Sequence, residues 1–105
     1  MYAKALAQYN KMISLLPASA QGYLGRANVQ SRYGNAAVAK VQNHRLRISV
    51  RRKARAEAKK YFTLAYKTIR TALAKVTDPI DKMTVQGRFD ALKKLFKGNK
   101  WTLPP

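Results

Sequence analysis

RRKARAEAKKYFTLAYKTIRTALAKV, residues 51–76, decides how this chain folds. Within it Ala54, Ala58, Tyr61, Phe62, Ala65, Ile69, Ala72, Leu73 and Val76 follow at intervals of 4, 3, 1, 3, 4, 3, 1 and 3. One face of an α-helix is therefore apolar without a gap over about seven turns, and the opposite face is Lys and Arg. A helix with one long apolar stripe must lay it on other helices, so the search for partners runs outward in both directions.

Downstream, Thr77-Asp78-Pro79-Ile80-Asp81 ends this helix and starts another. Asp78 is an N-cap, Pro79 fits the first helical position, and Asp81 puts negative charge where the helix dipole favours it. Val85, Phe89, Leu92 and Phe96 form the stripe of that last helix, Gly98-Asn99 closes it, and Lys100-Trp101-Thr102-Leu103-Pro104-Pro105 is an extended tail. Upstream, Ala5, Tyr9, Met12, Ile13 and Leu16 mark a first helix that Pro17 stops. Ser19 caps a second, in which Tyr23, Ala27 and Gln30 face the first, and Gly34-Asn35 supplies the C-terminal punctuation. Between them, Leu46, Ile48 and Val50 alternate with Arg45, Arg47, Ser49 and Arg51 as in a half-buried strand. A strand needs a partner and no second alternating run exists, so helix, or an arm ordered by a partner, is expected over residues 36–53.

The run from Ala5 to Pro17, with its small residue, tyrosine and closing proline, resembles the second helix of a tetratricopeptide repeat. Gly22-Tyr23-Leu24-Gly25-Arg26-Ala27, then Gly34-Asn35 and Ala39, resembles the first helix and turn of the next, with Ala5 and Ala39 separated by 34 positions, about one repeat. The likeness covers residues 2–39 only. Asn43 stands where an aromatic is wanted, Leu46 where a small residue is wanted and Arg51 where proline is wanted. The same residues also read as an ordinary antiparallel helix pair. If the likeness holds, Leu24, Asn28 and Arg32 lie on the inner face and an acidic peptide is the implied ligand.

With 105 residues there is room for one domain. It divides into a helix pair (1–35), a basic block (36–60), helices (61–97) and an extended tail (98–105). The absence of cysteine excludes disulfides, thiolate metal sites and a Cys nucleophile, and a single His excludes a His-based metal cluster. No Gly-rich phosphate loop, paired carboxylates or nucleophile motif is present, so neither catalytic machinery nor a cofactor is expected. The longest uncharged stretch, Met12 to Gly25, falls short of the ~20 apolar residues of a bilayer span. Gln8, Asn10 and Lys11 interrupt the run that a cleaved secretory signal requires.

Charge is the strongest functional signal: 22 Lys+Arg against 4 Asp+Glu give a net +18. Residues 40–60, KVQNHRLRISVRRKARAEAKK, hold nine of those cations with a single acid, Glu57, too few for a mixed-sign surface. A phosphate-binding stripe is expected at Lys40, His44, Arg45, Arg47, Arg51, Arg52, Lys53, Arg55, Lys59 and Lys60, where guanidinium and ammonium groups replace condensed counterions. Tyr33, Tyr66 and Trp101 are candidates for base stacking.

No DNA-reading motif is visible, and the composition has a general resemblance to small basic ribosomal proteins. The expected fold is all-α, a helical hairpin followed by a long basic helix and a C-terminal helix with an extended tail. The expected function is RNA-binding structural component of a ribonucleoprotein, ribosomal or organelle-ribosomal. Its partners would be structured rRNA and neighbouring proteins, in the cytoplasm or an organelle. The alternatives are a helical-repeat adaptor for a protein partner and, with a smaller share, a basic ribonuclease toxin using His44.

Overall fold

Four helices run alternately up and down in the computed structural model, which describes residues 2–105. They are α1 (Tyr2–Leu15), α2 (Ala20–Gln42), α3 (Ile48–Lys75) and α4 (Pro79–Gly98). The chain is all-α, with the hairpin, the long basic helix, the C-terminal helix and the extended tail in the order expected. Two starts follow from the caps. The Ser19 hydroxyl accepts from the Gln21 amide (3.4 Å) at the head of α2. The Asp78 carboxylate accepts from the Ile80 and Asp81 amides (2.8 and 3.1 Å) at the head of α4, satisfying donors that the helix leaves free.

The core is the seam between α2 and α3. Ala20, Ala27 and Gly34 recur every seven residues on α2, and Ala58, Ala65 and Ala72 do so on α3; all six are buried. Small residues at this spacing let two antiparallel helices approach closely, while Phe62, Ile69 and Val76, again seven apart, fill the space beside them. α4 packs chiefly on α3, and also touches α2, with Val85, Leu92 and Phe96 buried. α1 lies against α2, where Gly22 faces Ile13 and Gly25 faces the Tyr9 ring.

A polar stitch joins three helices. The Thr68 hydroxyl donates to Gln30 Oε1 (2.8 Å) and accepts from Arg26 Nε (3.1 Å), and Arg26 Nη1 donates to Asn10 Oδ1 (2.9 Å). Gln30 therefore faces α3 through this bond, although its side chain also meets the Tyr2 hydroxyl of α1. Burial pushes the Tyr2 hydroxyl above the usual phenol range, opposed by that hydrogen bond to Gln30.

Two expectations need correction. α2 does not stop at Gly34-Asn35 but continues to Gln42, because Gly34 is a buried helical residue pressed against the Phe62 ring. Residues 36–53 are neither one helix nor an arm: they are the last turns of α2, a tight corner over 43–47, and the first turns of α3. The block boundaries at 35/36 and 60/61 thus fall inside helices.

The four helices form an open array. The radius of gyration is 14.7 Å, against about 13 Å for a compact globule of this length. The accessible surface of 7248 Å² exceeds the roughly 5,900 Å² usual for this mass.

Two glycine variants test the seam. A Cβ on Gly34 would stand 2.7 Å from Phe62 Cε2, whereas one on Gly87 in α4 meets nothing within 4 Å. In urea unfolding, Gly34→Ala should lose about 1–2 kcal/mol through overpacking despite its better helix propensity. Gly87→Ala should gain about 0.5–1 kcal/mol.

Candidate nucleic-acid interface

The corner between α2 and α3 gathers the basic block at one end of the molecule. Asn43, the C-cap of α2, accepts from the Arg45 amide through its side chain (3.1 Å) and from the Leu46 amide through its carbonyl (3.1 Å). That local turn replaces the helix and swings the chain back within five residues. Lys40 is exposed in the last turn of α2, His44 and Arg45 at the tip, and Arg47 at the N-cap of α3 without a capping hydrogen bond from its side chain. Arg52, Lys53, Arg55, Lys59 and Lys60 are exposed on the outward face of α3.

Arg51 stands apart from this set. It is half-buried, and its Nε donates to the Val41 carbonyl (3.0 Å) in the last turn of α2. A guanidinium on a carbonyl that α2 cannot use itself is a cap in trans across the corner. Arg51 is thus a structural clamp, which the sequence placed among the phosphate contacts.

The electrostatics of the corner are one-sided. The first turn of α3 contains no acid, and cations crowd the helix end where the dipole is already positive. Among the described residues the one ion pair is Lys93 with Asp90 (3.5 Å), far along α4. Glu57 lines a cleft with Lys40 and Lys53. Arg26, which has no carboxylate partner in its network, is held below the usual guanidinium range by burial.

The three stacking candidates separate. Tyr66 is 5% exposed and packs on Phe89 (5.0 Å) and Phe96 (5.6 Å), so it offers no ring face to a base; four residues after Phe62 and three before Ile69, it belongs to the core stripe. Tyr33 is 37% exposed, in a trio with Tyr2 (4.7 Å) and Tyr61 (5.6 Å), Lys60 standing over Tyr61. Trp101 is half-buried against Phe96 (5.5 Å) and Phe62 (6.3 Å).

Trp101 is placed by the end of α4. The Trp101 amide donates to the Phe96 carbonyl (2.9 Å) and the Lys100 amide to the Lys97 carbonyl (3.0 Å), with Lys100 in the left-handed region (φ 58°). This is a Schellman ending with its hydrophobic contact, and the left-handed residue is Lys100, not Gly98 or Asn99. The tail then returns along α3, where Arg70 Nη1 donates to the Pro104 carbonyl (3.3 Å). Lys93, Lys94 and Lys97, with Asp90 paired to Lys93, line a cavity against Trp101, a second lysine-rich surface that sequence reasoning left out; its signal was the i, i+1, i+4 spacing of lysines beside a lone tryptophan.

The residues tied to the alternatives are also placed. His44 is exposed, and no cluster of His, Asp or Glu suited to a metal exists among the described residues. Leu24 is partly buried against the core, with Asn28 and Arg32 exposed. Among the described residues no helix is long and apolar enough to cross a membrane. Comparison with known proteins finds no matching family model, no matching curated protein and no matching solved structure.

The two arginines at the corner should part in stability measurements. Arg51→Ala should cost about 1–2 kcal/mol in urea unfolding, since the Val41 carbonyl loses a charge-assisted partner. Arg52→Ala, one residue on and exposed, should stay within about 0.5 kcal/mol of the parent.

Proposed function

We propose that this chain is an RNA-binding structural component of a large ribonucleoprotein, of the ribosomal or organelle-ribosomal kind. The observation that carries the reading is the α2–α3 corner: a rigid turn that presents Lys40, Arg45, Arg47, Arg52 and Lys53 to solvent while Glu57 is the single acid in the block. An anion at the head of α3 would meet these cations and the helix dipole together. Phosphates of a folded RNA supply such anions at close spacing, and the counterions they release would drive binding.

Two features support a structural role within an assembly. The open helical array leaves more surface uncovered than a protein of this mass normally does. Leu15, Leu16, Ile80 and Met83 are all exposed at the end opposite the corner, where α1 ends and α4 begins. In this reading the corner enters RNA and the opposite end meets a neighbouring protein.

The test is binding to a structured RNA over a salt series. About six phosphate contacts predict a log–log slope near −5 on a duplex-like backbone, and a slope near zero would reject the proposal. Changing Arg45, Arg47, Arg52 and Lys53 together to Gln should flatten the slope by about 3.6 units. The affinity loss should be similar for unrelated RNA sequences. The free variant should be as stable as the parent or more so, because like charges have been removed.

A further inference from the structure

We propose that the cavity between the basic corner and Trp101 takes the base of an unpaired guanine nucleotide. The inference rests on the RNA reading above and names the part of the RNA that this site would recognise. The cavity holds about 200 Å³ and is lined by Val38 and Val41 of α2, Trp101 of the tail, and the polar side chains of Gln42, Arg55 and Asn99. It is smaller than the ~300–1,000 Å³ sites of drug-sized ligands, and suits one heteroaromatic ring system.

Beside Arg55, which could also hold a phosphate, Trp101 and Asn99 have a chemistry that a bare phosphate would not use. Trp101 supplies a π surface held in place by Phe62, Phe96 and the Schellman hydrogen bonds, so a base could stack without reorganising it. Arg55 is a donor only, and its fork matches the O6 and N7 acceptors of guanine. Asn99 Nδ2 already donates to the Leu95 carbonyl (2.8 Å), which leaves its Oδ1 as an acceptor for the N1–H and N2–H donors of the same base. A donor on one side and an acceptor on the other fit guanine, whose two edges have opposite polarity; uracil lacks the extended acceptor edge.

The surroundings suit the rest of the nucleotide. Lys59 lies one turn beyond Arg55 on α3, and Lys97 and Lys100 flank Trp101, so cations stand on both sides to receive the adjoining phosphates. Lys100 occupies a left-handed position that glycine adopts more easily. The chain therefore keeps a charge beside the cavity at a conformational cost.

The experiment uses the full chain, whose single tryptophan, excited selectively over the tyrosines, reports on the surroundings of Trp101. The pentanucleotides UUGUU and UUUUU are titrated against it, reading Trp101 emission and the anisotropy of end-labelled RNA, with guanosine monophosphate and ribose 5-phosphate as small probes. UUGUU should quench Trp101 and bind about tenfold more tightly than UUUUU, the discrimination expected of one good base contact. Guanosine monophosphate should quench and ribose 5-phosphate should not. Arg55→Lys, which keeps the charge, should abolish the preference and leave the salt slope unchanged. Equal affinity for both strands with a normal salt slope and unaltered emission would overturn the guanine pocket while the phosphate reading stood. Equal quenching by the two small probes would also overturn it. Failure of both strands and of structured RNA to bind at any salt would overturn both readings.

Discussion

The close approach of α2 to α3 is the constraint on which the rest of the structure depends. Ala20, Ala27 and Gly34 on α2 and Ala58, Ala65 and Ala72 on α3 keep the seam free of bulky side chains, and at Gly34 even a methyl would meet the Phe62 ring. Close backbones bring Thr68 within reach of both Gln30 and Arg26, so the polar stitch to α1 exists only because the seam is tight. They also fix where the corner falls. Two antiparallel helices held this near can be joined by five residues, and Arg51 reaches the Val41 carbonyl to hold that joint.

A seam of small residues has an energetic consequence. Alanines and a glycine bury little apolar area each, so the hydrophobic term must come from a few large side chains. Phe62, Ile69, Val76, Val85 and Phe96 are the largest fully buried ones, and most of the aromatic rings are drawn in beside them. Against this modest core stands a net charge of +18 with one ion pair among the described residues. Self-repulsion and a thin core together describe a chain whose stability depends on what neutralises it, which links the packing to the polyanion reading.

Elements that are local in origin were legible in the sequence. The stripe from Ala54 to Val76, the caps at Ser19 and Asp78, the stop at Pro17 and the stripe of α4 all rest on periodicity and capping, and each stands where those rules put it. The misreadings have one common cause. Gly34-Asn35 reads locally as a helix end, but a glycine is equally what a helix needs where an aromatic ring of another helix presses on it, and Phe62 lies 28 positions away. Tyr66, a stacking candidate in the sequence, is closed off by Phe89 and Phe96 of α4. Arg51 reads as one more cation in a run until the corner brings a free carbonyl within reach. In each case the deciding partner is distant in sequence.

The same corner explains why composition reveals the basic block but not the directions of its side chains. A run of cations in a sequence has no inside or outside, and folding supplies that distinction. Arg51 turns inward to hold the joint, Arg55 is exposed at the edge of the cavity that Trp101 also lines, and Lys40, Arg45, Arg47, Arg52 and Lys53 are exposed. Inward and outward directions thus fall to neighbouring residues of one charge type. Helix geometry allows the division: successive positions on α3 are rotated by about 100°, which separates Arg51 from Arg52. A disordered basic tail would present the same charge to RNA but could hold none of these directions constant. What the seam adds to the charge is orientation: it holds Lys40, Arg47 and Arg52 around the positive end of α3.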